Sequence, residues 1–346
     1  MSTARLMSTA RQWDDRVGRR LKLRDLYILM TVAHCGGIGK AAVQLSVSQP
    51  AVSKAIANME HTLGVRLLDR TALGVEPTLY GSALLKWGAT VFDDLRQGVK
   101  EIEYLADPTA GEVRIGSTEP MTAGLVPAVI DRLSGQFPRL VFDVMQASAL
   151  VLQYRDLRER SIDLILGRMV TPIADEDLNV QTLFNDPLFV VSGTNSKWLQ
   201  RRRIEPAELI NEAWCLPRYD LFVGSRVAEA FRTAGLDAPR HTVRSNSIQL
   251  FNALLATGRF LSVLSGSTLK FSGKRLGLRA LSVDLPIRPG PVGVVTLKNR
   301  TISPVAQLFI DCAREVAKPI ADAGRRLRAR SSPFGRSSRV SISSVD

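Results

Sequence analysis

The segment Gly39-Lys-Ala-Ala-Val-Gln-Leu-Ser-Val-Ser-Gln-Pro-Ala-Val-Ser-Lys54 joins one short helical pattern to another across a tight break. Ala42 is small enough to let two helices cross closely, and Ser46-Val47-Ser48 supplies the turn. Ser48 is placed as N-cap of the following helix, and Pro50 is tolerated in its first turn because the missing N–H has no intrahelical partner there. That helix is predicted to run to about Leu63 and to be closed by Gly64. Val52, Ile56, Met59 and Leu63 fall on one apolar stripe, while Pro50, Ser53, Lys54 and Ala57 face elsewhere. A helix-turn-helix uses such a face in the major groove of DNA, where Gln, Ser and Lys reach base edges and nearby amides meet phosphates. The same spacing also fits an ordinary helical hairpin.

Upstream, Leu23, Leu26, Tyr27, Met30 and Ala33 recur at helical spacing until Gly36-Gly37, and a short helix follows from Ile38 to Leu45. Downstream, Val65 to Leu68 reads as a strand and Leu73 to Pro77 as a turn and return. Thr78 then caps a helix reaching about Leu105. Its apolar positions Leu85, Ala89, Phe92, Leu95, Val99 and Ile102 keep a near-heptad spacing suited to pairing with a second helix. Gly88 and Gly98 weaken that helix in isolation by roughly 1 kcal/mol each. Asp107-Pro-Thr-Ala-Gly111 reads as a linker. Beyond it, strands at 112–117, 140–146 and 162–166 alternate with helices at 125–137 and 150–160, the order of a parallel sheet covered by helices. A second series places strands at 188–191, 213–216, 241–243 and 261–264 around helices at 226–234 and 248–257. A strand at 292–297 and a helix at 304–318 return to complete the first lobe. The expected architecture is α+β and multidomain. Residues 1–20 form a flexible basic arm, 21–80 a winged helix-turn-helix, 81–106 a linker and dimerisation helix, 111–321 a two-lobed α/β domain with a cleft, and 322–346 a disordered Arg/Ser-rich tail.

Composition agrees with two folded domains. The chain has 346 residues, 45% hydrophobic and 23% charged, against a prior of about 150 residues per domain. Its net charge of +13 favours anionic partners. Only +2 of that charge falls in residues 21–80, whereas the arm carries +3 and residues 321–346 carry +4. Charge alone therefore says little about DNA; flexible basic ends would add salt-sensitive, nonspecific affinity. Cys35, Cys215 and Cys312 are odd in number and far apart, which fits a reducing cytoplasm and no disulfide framework. No export signal and no membrane span is read.

Leu23-Arg-Asp-Leu26, Ala41-Ala42, Ser46-Val-Ser-Gln-Pro-Ala-Val-Ser-Lys54, Leu63-Gly-Val-Arg-Leu-Leu-Asp-Arg-Thr71 and Pro77-Thr78 together resemble the LysR-type transcriptional regulators, over about Leu21 to Ala321. Three further stretches, Gly74 to Gly81, Leu105 to Gly111 and Lys298 to Pro304, look like the branch named for the galactose-binding-protein regulator. The resemblance implies that Gln49, Pro50, Ser53 and Lys54 touch bases or the adjacent backbone, and that Arg66 and Arg70 hold phosphates beside the wing. Ala72 and Leu73 depart from the basic or polar residues frequent in the family's wing, and Glu76 adds a negative charge there. It further implies operator DNA, RNA polymerase and a second subunit as partners, in a homodimer or homotetramer.

By the same resemblance the C-terminal domain is periplasmic-binding-protein-like and holds a small effector between its lobes. Ser117, Thr118 and Glu119 sit where a strand ends and a helix begins, a place where free amides and hydroxyls favour an anion or a polar oxygen. Position for position, Ala147-Ser148, Gly167-Arg168, Arg218-Tyr219 and Ser245-Asn246-Ser247 would line the same cleft. Each of these residues also reads as a helix cap or turn. Arginines at the mouth suit a carboxylate or phosphate, whereas a neutral sugar needs only hydroxyls and amides; a sugar, sugar acid or aromatic acid is the expected effector. No cofactor and no metal is expected, since His34, His61 and His241 lack ligand spacing. Gly37-Ile-Gly39 follows a helix instead of a strand, and no nucleophile elbow occurs, so an enzyme is not expected. The remaining alternative, a cytoplasmic small-solute-binding protein, explains the cleft but not the head.

Overall fold

The computed structural model describes residues 20–71, 74–147, 150–169, 175–283, 285 and 287–331. The arm up to residue 19, Ala72-Leu73, Ser148 and the tail beyond 331 lie outside the described residues. The chain forms two compact units that divide between Gly98 and Val99.

The first unit contains α1 (Leu23–Cys35), α2 (Ile38–Gln44), α3 (Gln49–Leu63), the hairpin β1 (Leu68–Thr71) and β2 (Gly74–Pro77), and most of α4 (Leu79–Ala106). Gly36 and Gly64 terminate α1 and α3 in the left-handed conformation, as a helix C-terminus favours. Leu29, Val32, Ala42, Val52, Ile56 and Met59 form the head core. Ser48 occupies the N-cap position of α3 without a side-chain bond; its carbonyl accepts from the amides of Ala51 and Val52 at 3.0 and 3.2 Å. Ser46 turns the chain with φ 53°.

The first wing strand begins later than the sequence suggests, at Leu68. Glu60 is the reason: its carboxylate accepts from the amides of Leu67 and Leu68 at 2.8 and 3.3 Å, fastening the approach to the wing onto α3. Thr78 caps α4 as predicted, its hydroxyl accepting from the Gly81 amide at 3.0 Å while donating to the Arg66 carbonyl at 2.8 Å. Leu85 and Phe92 do not point to a partner helix but pack on the head core, with Phe92 against Tyr27 at 5.5 Å between ring centroids. Gly88 is more than a weak point. A Cβ there would stand 3.0 Å from Leu26 Cδ1, so its absence lets α4 cross α1 closely. Trp87, Val91 and Leu95 remain exposed along α4.

In the second unit, β3 (Ala110–Thr118), α5 (Glu119–Thr122), α6 (Leu125–Gln136), β4 (Arg139–Ala147), α7 (Leu150–Arg158), β5 (Leu164–Arg168) and β6 (Leu178–Asp186) build the first lobe. Its sheet has the order β4-β3-β5-β12-β6, where β12 (Gly290–Leu297) returns from the second lobe. The expected parallel pairing holds for β3 with β4 and β5, but β12 runs antiparallel to both β5 and β6, making the sheet mixed. The second lobe holds β7 (Leu188–Gly193), β8 (Ala213–Leu216), α8 (Phe222–Thr233), β9 (His241–Arg244), α9 (Ile248–Ala256), β10 (Phe260–Ser265) and β11 (Leu278–Ala280). Its order is β11-β7-β10-β8-β9. Met121, Leu125, Val129, Leu166 and Phe309 anchor the first core, and Trp214, Phe231 and Leu261 the second.

The last helix, α10, spans Pro304–Ser331 and contains Pro319. It therefore continues past Lys318 and into the region from 322 expected to be disordered. Alanine, arginine and leucine dominate 321–330 and are strong helix formers, so scarcity of apolar residues did not prevent helical backbone.

Candidate DNA interface and effector cleft

On α3, burial of Val52, Ala55, Ile56 and Met59 fixes the helix by its apolar side. Gln49, Pro50 and Lys54 are consequently exposed and Ser53 half-exposed, so the four predicted base-contacting residues share the outer side of one helix. Asn58 and His61 extend this surface toward the C-terminus of α3. Sequence reading passed over them, although both follow from the helical repeat that assigned Lys54. Arg66 is exposed just before the wing, and Arg70 lies on β1 opposite Val75.

The wing brings two acids together. Asp69 pairs directly with Glu76 across β1 and β2, and directly opposed residues in an antiparallel pair project to the same face. Both are exposed. A phosphate approaching that face meets two carboxylates, which sharpens the departure seen at Glu76. Replacing both, Asp69→Asn with Glu76→Gln, should tighten binding to operator DNA by several-fold at low salt. The gain should shrink as salt screens the charges, and a gel-shift titration at two ionic strengths checks it.

In the two-lobed domain, Ser117 is fully buried one residue before the end of β3, donating to the Leu166 carbonyl at 2.8 Å. Thr118 adopts the extended N-cap conformation before α5. Glu119 reaches into the other lobe, where Oε1 accepts from the amides of Ile248 and Gln249 at 2.8 and 3.4 Å at the start of α9. Ser247 caps the same helix through a bond from the Leu250 amide at 3.2 Å, Ser245 accepts from the Ser247 amide at 3.0 Å, and Asn246 is exposed between them.

The two predicted cleft arginines differ sharply. Arg168 is buried at the crossing between lobes: it donates to Asp186 Oδ2 at 3.1 Å and to the carbonyls of Asp186 and Gly290 at 3.2 and 3.4 Å. Its guanidinium also lies 5.6 Å from the centroid of the Phe222 ring. Burial lowers the Arg168 pKa and raises that of Asp186, because each charge is removed from water. Ser267 completes the cluster, giving its amide and hydroxyl to Asp186 at 3.0 and 2.6 Å. Arg218 is exposed and forms a two-point pair with its neighbour Asp220, at 3.0 and 2.8 Å. The hinge partners Asp186, Ser267 and Phe222 were not identified from the sequence. Cys215 is buried, its thiol pushed up to about 11 by desolvation, which makes it an inert core group.

A helix-turn-helix with a hairpin wing, followed by a long helix and two α/β lobes joined by crossing strands, defines the class of a DNA-binding regulator with a ligand-sensing domain. The family models agree: the bacterial regulatory helix-turn-helix of the LysR family matches residues 23–82, and the LysR substrate binding domain matches residues 106–318. The chain belongs to the LysR family of transcriptional regulators. Among curated relatives it is 27% identical to the HTH-type transcriptional regulator GbpR of Azospirillum brasilense, over 85% of this chain and 86% of that protein. It is 26% identical to the transcriptional dual regulator GltC of Bacillus subtilis, over 84% and 96%. The fold resembles that of a full-length OxyR variant from Pseudomonas aeruginosa, with a TM-score of 0.59, 22% identity and coverage of 86% and 97%. It also resembles CbnR, with a TM-score of 0.50, 19% identity and coverage of 85% and 100%. Among the described residues no single helix is long and apolar enough to cross a membrane.

Proposed function

We propose that this regulator reads operator DNA with Gln49, Pro50, Ser53 and Lys54, holds phosphates with Arg66 and Arg70, and acts as a homodimer or homotetramer. Its cleft takes a sugar, sugar acid or aromatic acid, and the bound effector alters transcription by RNA polymerase. It works in the cytoplasm without cofactor, metal or catalytic step. The carrying observation is the two-sided character of α3, whose apolar side is consumed by the head core while the side carrying Gln49, Pro50, Ser53 and Lys54 stays open to water. Pairing through α4 would place two such helices about one turn of DNA apart, or a multiple of it, so the operator should be a pseudo-palindrome. The effector acts only as far as it binds alternative subunit arrangements with different affinity.

Footprinting on the DNA upstream of the gene should show a protected pseudo-palindrome. Lys54→Ala should weaken operator binding by about tenfold or more, in line with the ~1–3 kcal/mol carried by a specific contact. The thermal midpoint should be unchanged, because Lys54 is exposed and supports no core residue. Unchanged affinity in a gel-shift titration would remove Lys54 from the interface, and absence of sequence-specific protection would overturn the operator reading.

A further inference from the structure

We infer that Glu119 is a specificity-determining residue that sets the cleft against carboxylate and phosphate effectors and in favour of a neutral, hydroxyl-rich molecule such as a sugar. This rests on the effector reading above and chooses among its ligand classes. The start of α9 is where a bound anion would gain most, from free amides and from the positive end of the helix. In this chain a carboxylate is already there: Glu119 comes from the opposite lobe, 129 positions earlier, and takes the Ile248 amide at 2.8 Å. Two further bonds join the same two lobes. Thr268 donates to the Pro120 carbonyl at 3.2 Å and Ser272 to the Ala123 carbonyl at 2.6 Å, so the segment carrying Glu119 is tied to the second lobe.

The cations that sequence reading assigned to an anion are likewise engaged by internal acids. Arg168 is spent on Asp186 and two carbonyls, and Arg218 on Asp220. Arg244 ends β9 exposed to water, where a lone guanidinium–carboxylate pair adds little. An incoming anion thus meets a negative charge at the helix end and two arginines already paired with acids. A hydroxyl does not: both bonds to Glu119 use Oε1, and among the described residues Oε2 has no partner, leaving a half-buried acceptor for a ligand O–H. Thr118 immediately precedes Glu119 and Asn246 lies two positions before Ile248, and both carry groups that donate and accept.

The test uses the full-length protein and matched probes: glucose with glucuronate, galactose with galacturonate, and benzyl alcohol with benzoate. Wild type should bind no acid member more tightly than its neutral counterpart in calorimetric titration. Glu119→Gln keeps an acceptor for the α9 amides but removes the charge, and should raise affinity for an acid member at least tenfold. Glu119→Ala vacates the helix end; its lowered unfolding midpoint should recover in sodium formate relative to sodium chloride at equal ionic strength, with wild type unmoved. Preferential binding of an acid by wild type, or no gain in Glu119→Gln, overturns the inference. Loss of the formate rescue overturns it too and leaves the effector reading standing, whereas rescue with no response to any probe by any variant sinks both. If Glu119→Ala does not fold, the Glu119→Gln titration decides.

Discussion

Asp186→Ala should cost the second unit about 3–5 kcal/mol, the penalty typical of breaking a buried ion pair from one side. Asp186 is fully buried, and its loss strands the Arg168 guanidinium beside Phe222 with only two long carbonyl contacts. It also removes the acceptor for the Ser267 amide and hydroxyl. Arg168→Met should cost less. The acid left behind keeps its bonds from Ser267, and burial already raises its pKa, so it can take up a proton instead of remaining an isolated anion. Urea unfolding followed through Trp198 and Trp214, both buried in the second lobe, would give the two values. Equal costs would mean that the pair is not organised as described.

Asp163 provides the opposite case in the same domain. Burial alone would raise its pKa, but the Arg114 side chain and amide, aided by Lys100, outweigh burial and hold the carboxyl below its ordinary range. Arg300 adds a bond at 2.8 Å. A depressed carboxyl contributes stability that is present above its unfolded pKa, near ~4, and is lost as pH falls through the folded value. Acidification should therefore release the Asp163 cluster. The Arg168–Asp186 pair does not contribute in that direction, since its acid is raised.

Local patterns were legible in the sequence wherever one chain segment decides the outcome. Gly36 and Gly64 stop helices because a left-handed residue is needed there, and the small Ala42, read as a close-packing position, lies buried in the head core. Features that depend on distant partners were not legible. Nothing in the local pattern of Val292 to Leu297 reveals antiparallel pairing with both neighbours, because strand direction is set by where the chain re-enters the lobe. The same limit governed the cleft. Arg168 and Glu119 read as ligand groups while their partners Asp186 and Ile248 were unknown; with those partners in place, Arg168 is paired inside the protein and Glu119 gives Oε1 to the start of α9. Exposed groups on one helix, such as Lys54, were correctly placed on an open face because a periodic core suffices to orient them.

Leu95→Asp is expected to separate the subunits and, with them, to abolish high-affinity operator binding. Leu95 is 48% exposed on α4, one and two turns beyond Val91 and Trp87, and Trp87 is 67% exposed. These residues form an apolar stripe that the head core leaves exposed, whereas Leu85 and Phe92 pack on that core. A stripe at this spacing matches the seam of two paired helices, and burying each such side chain contributes on the order of 1.5–3 kcal/mol. In a two-fold pair the substitution acts twice, removing two buried leucines and bringing two carboxylates toward the same axis. Desolvating each charge costs several kcal/mol, so the dimer constant should rise by more than about a hundredfold. Because Leu95 is not among the residues of the head core, the monomer should keep its helical circular dichroism and its melting behaviour. Sedimentation would report a monomer at micromolar concentration, and gel shift would show loss of the operator complex with weak, salt-sensitive binding left over. A Leu95→Asp protein that sediments as wild type would place the subunit contact elsewhere. A monomer that still binds the operator tightly would show that one recognition helix is enough, and would remove the reason for expecting a palindrome.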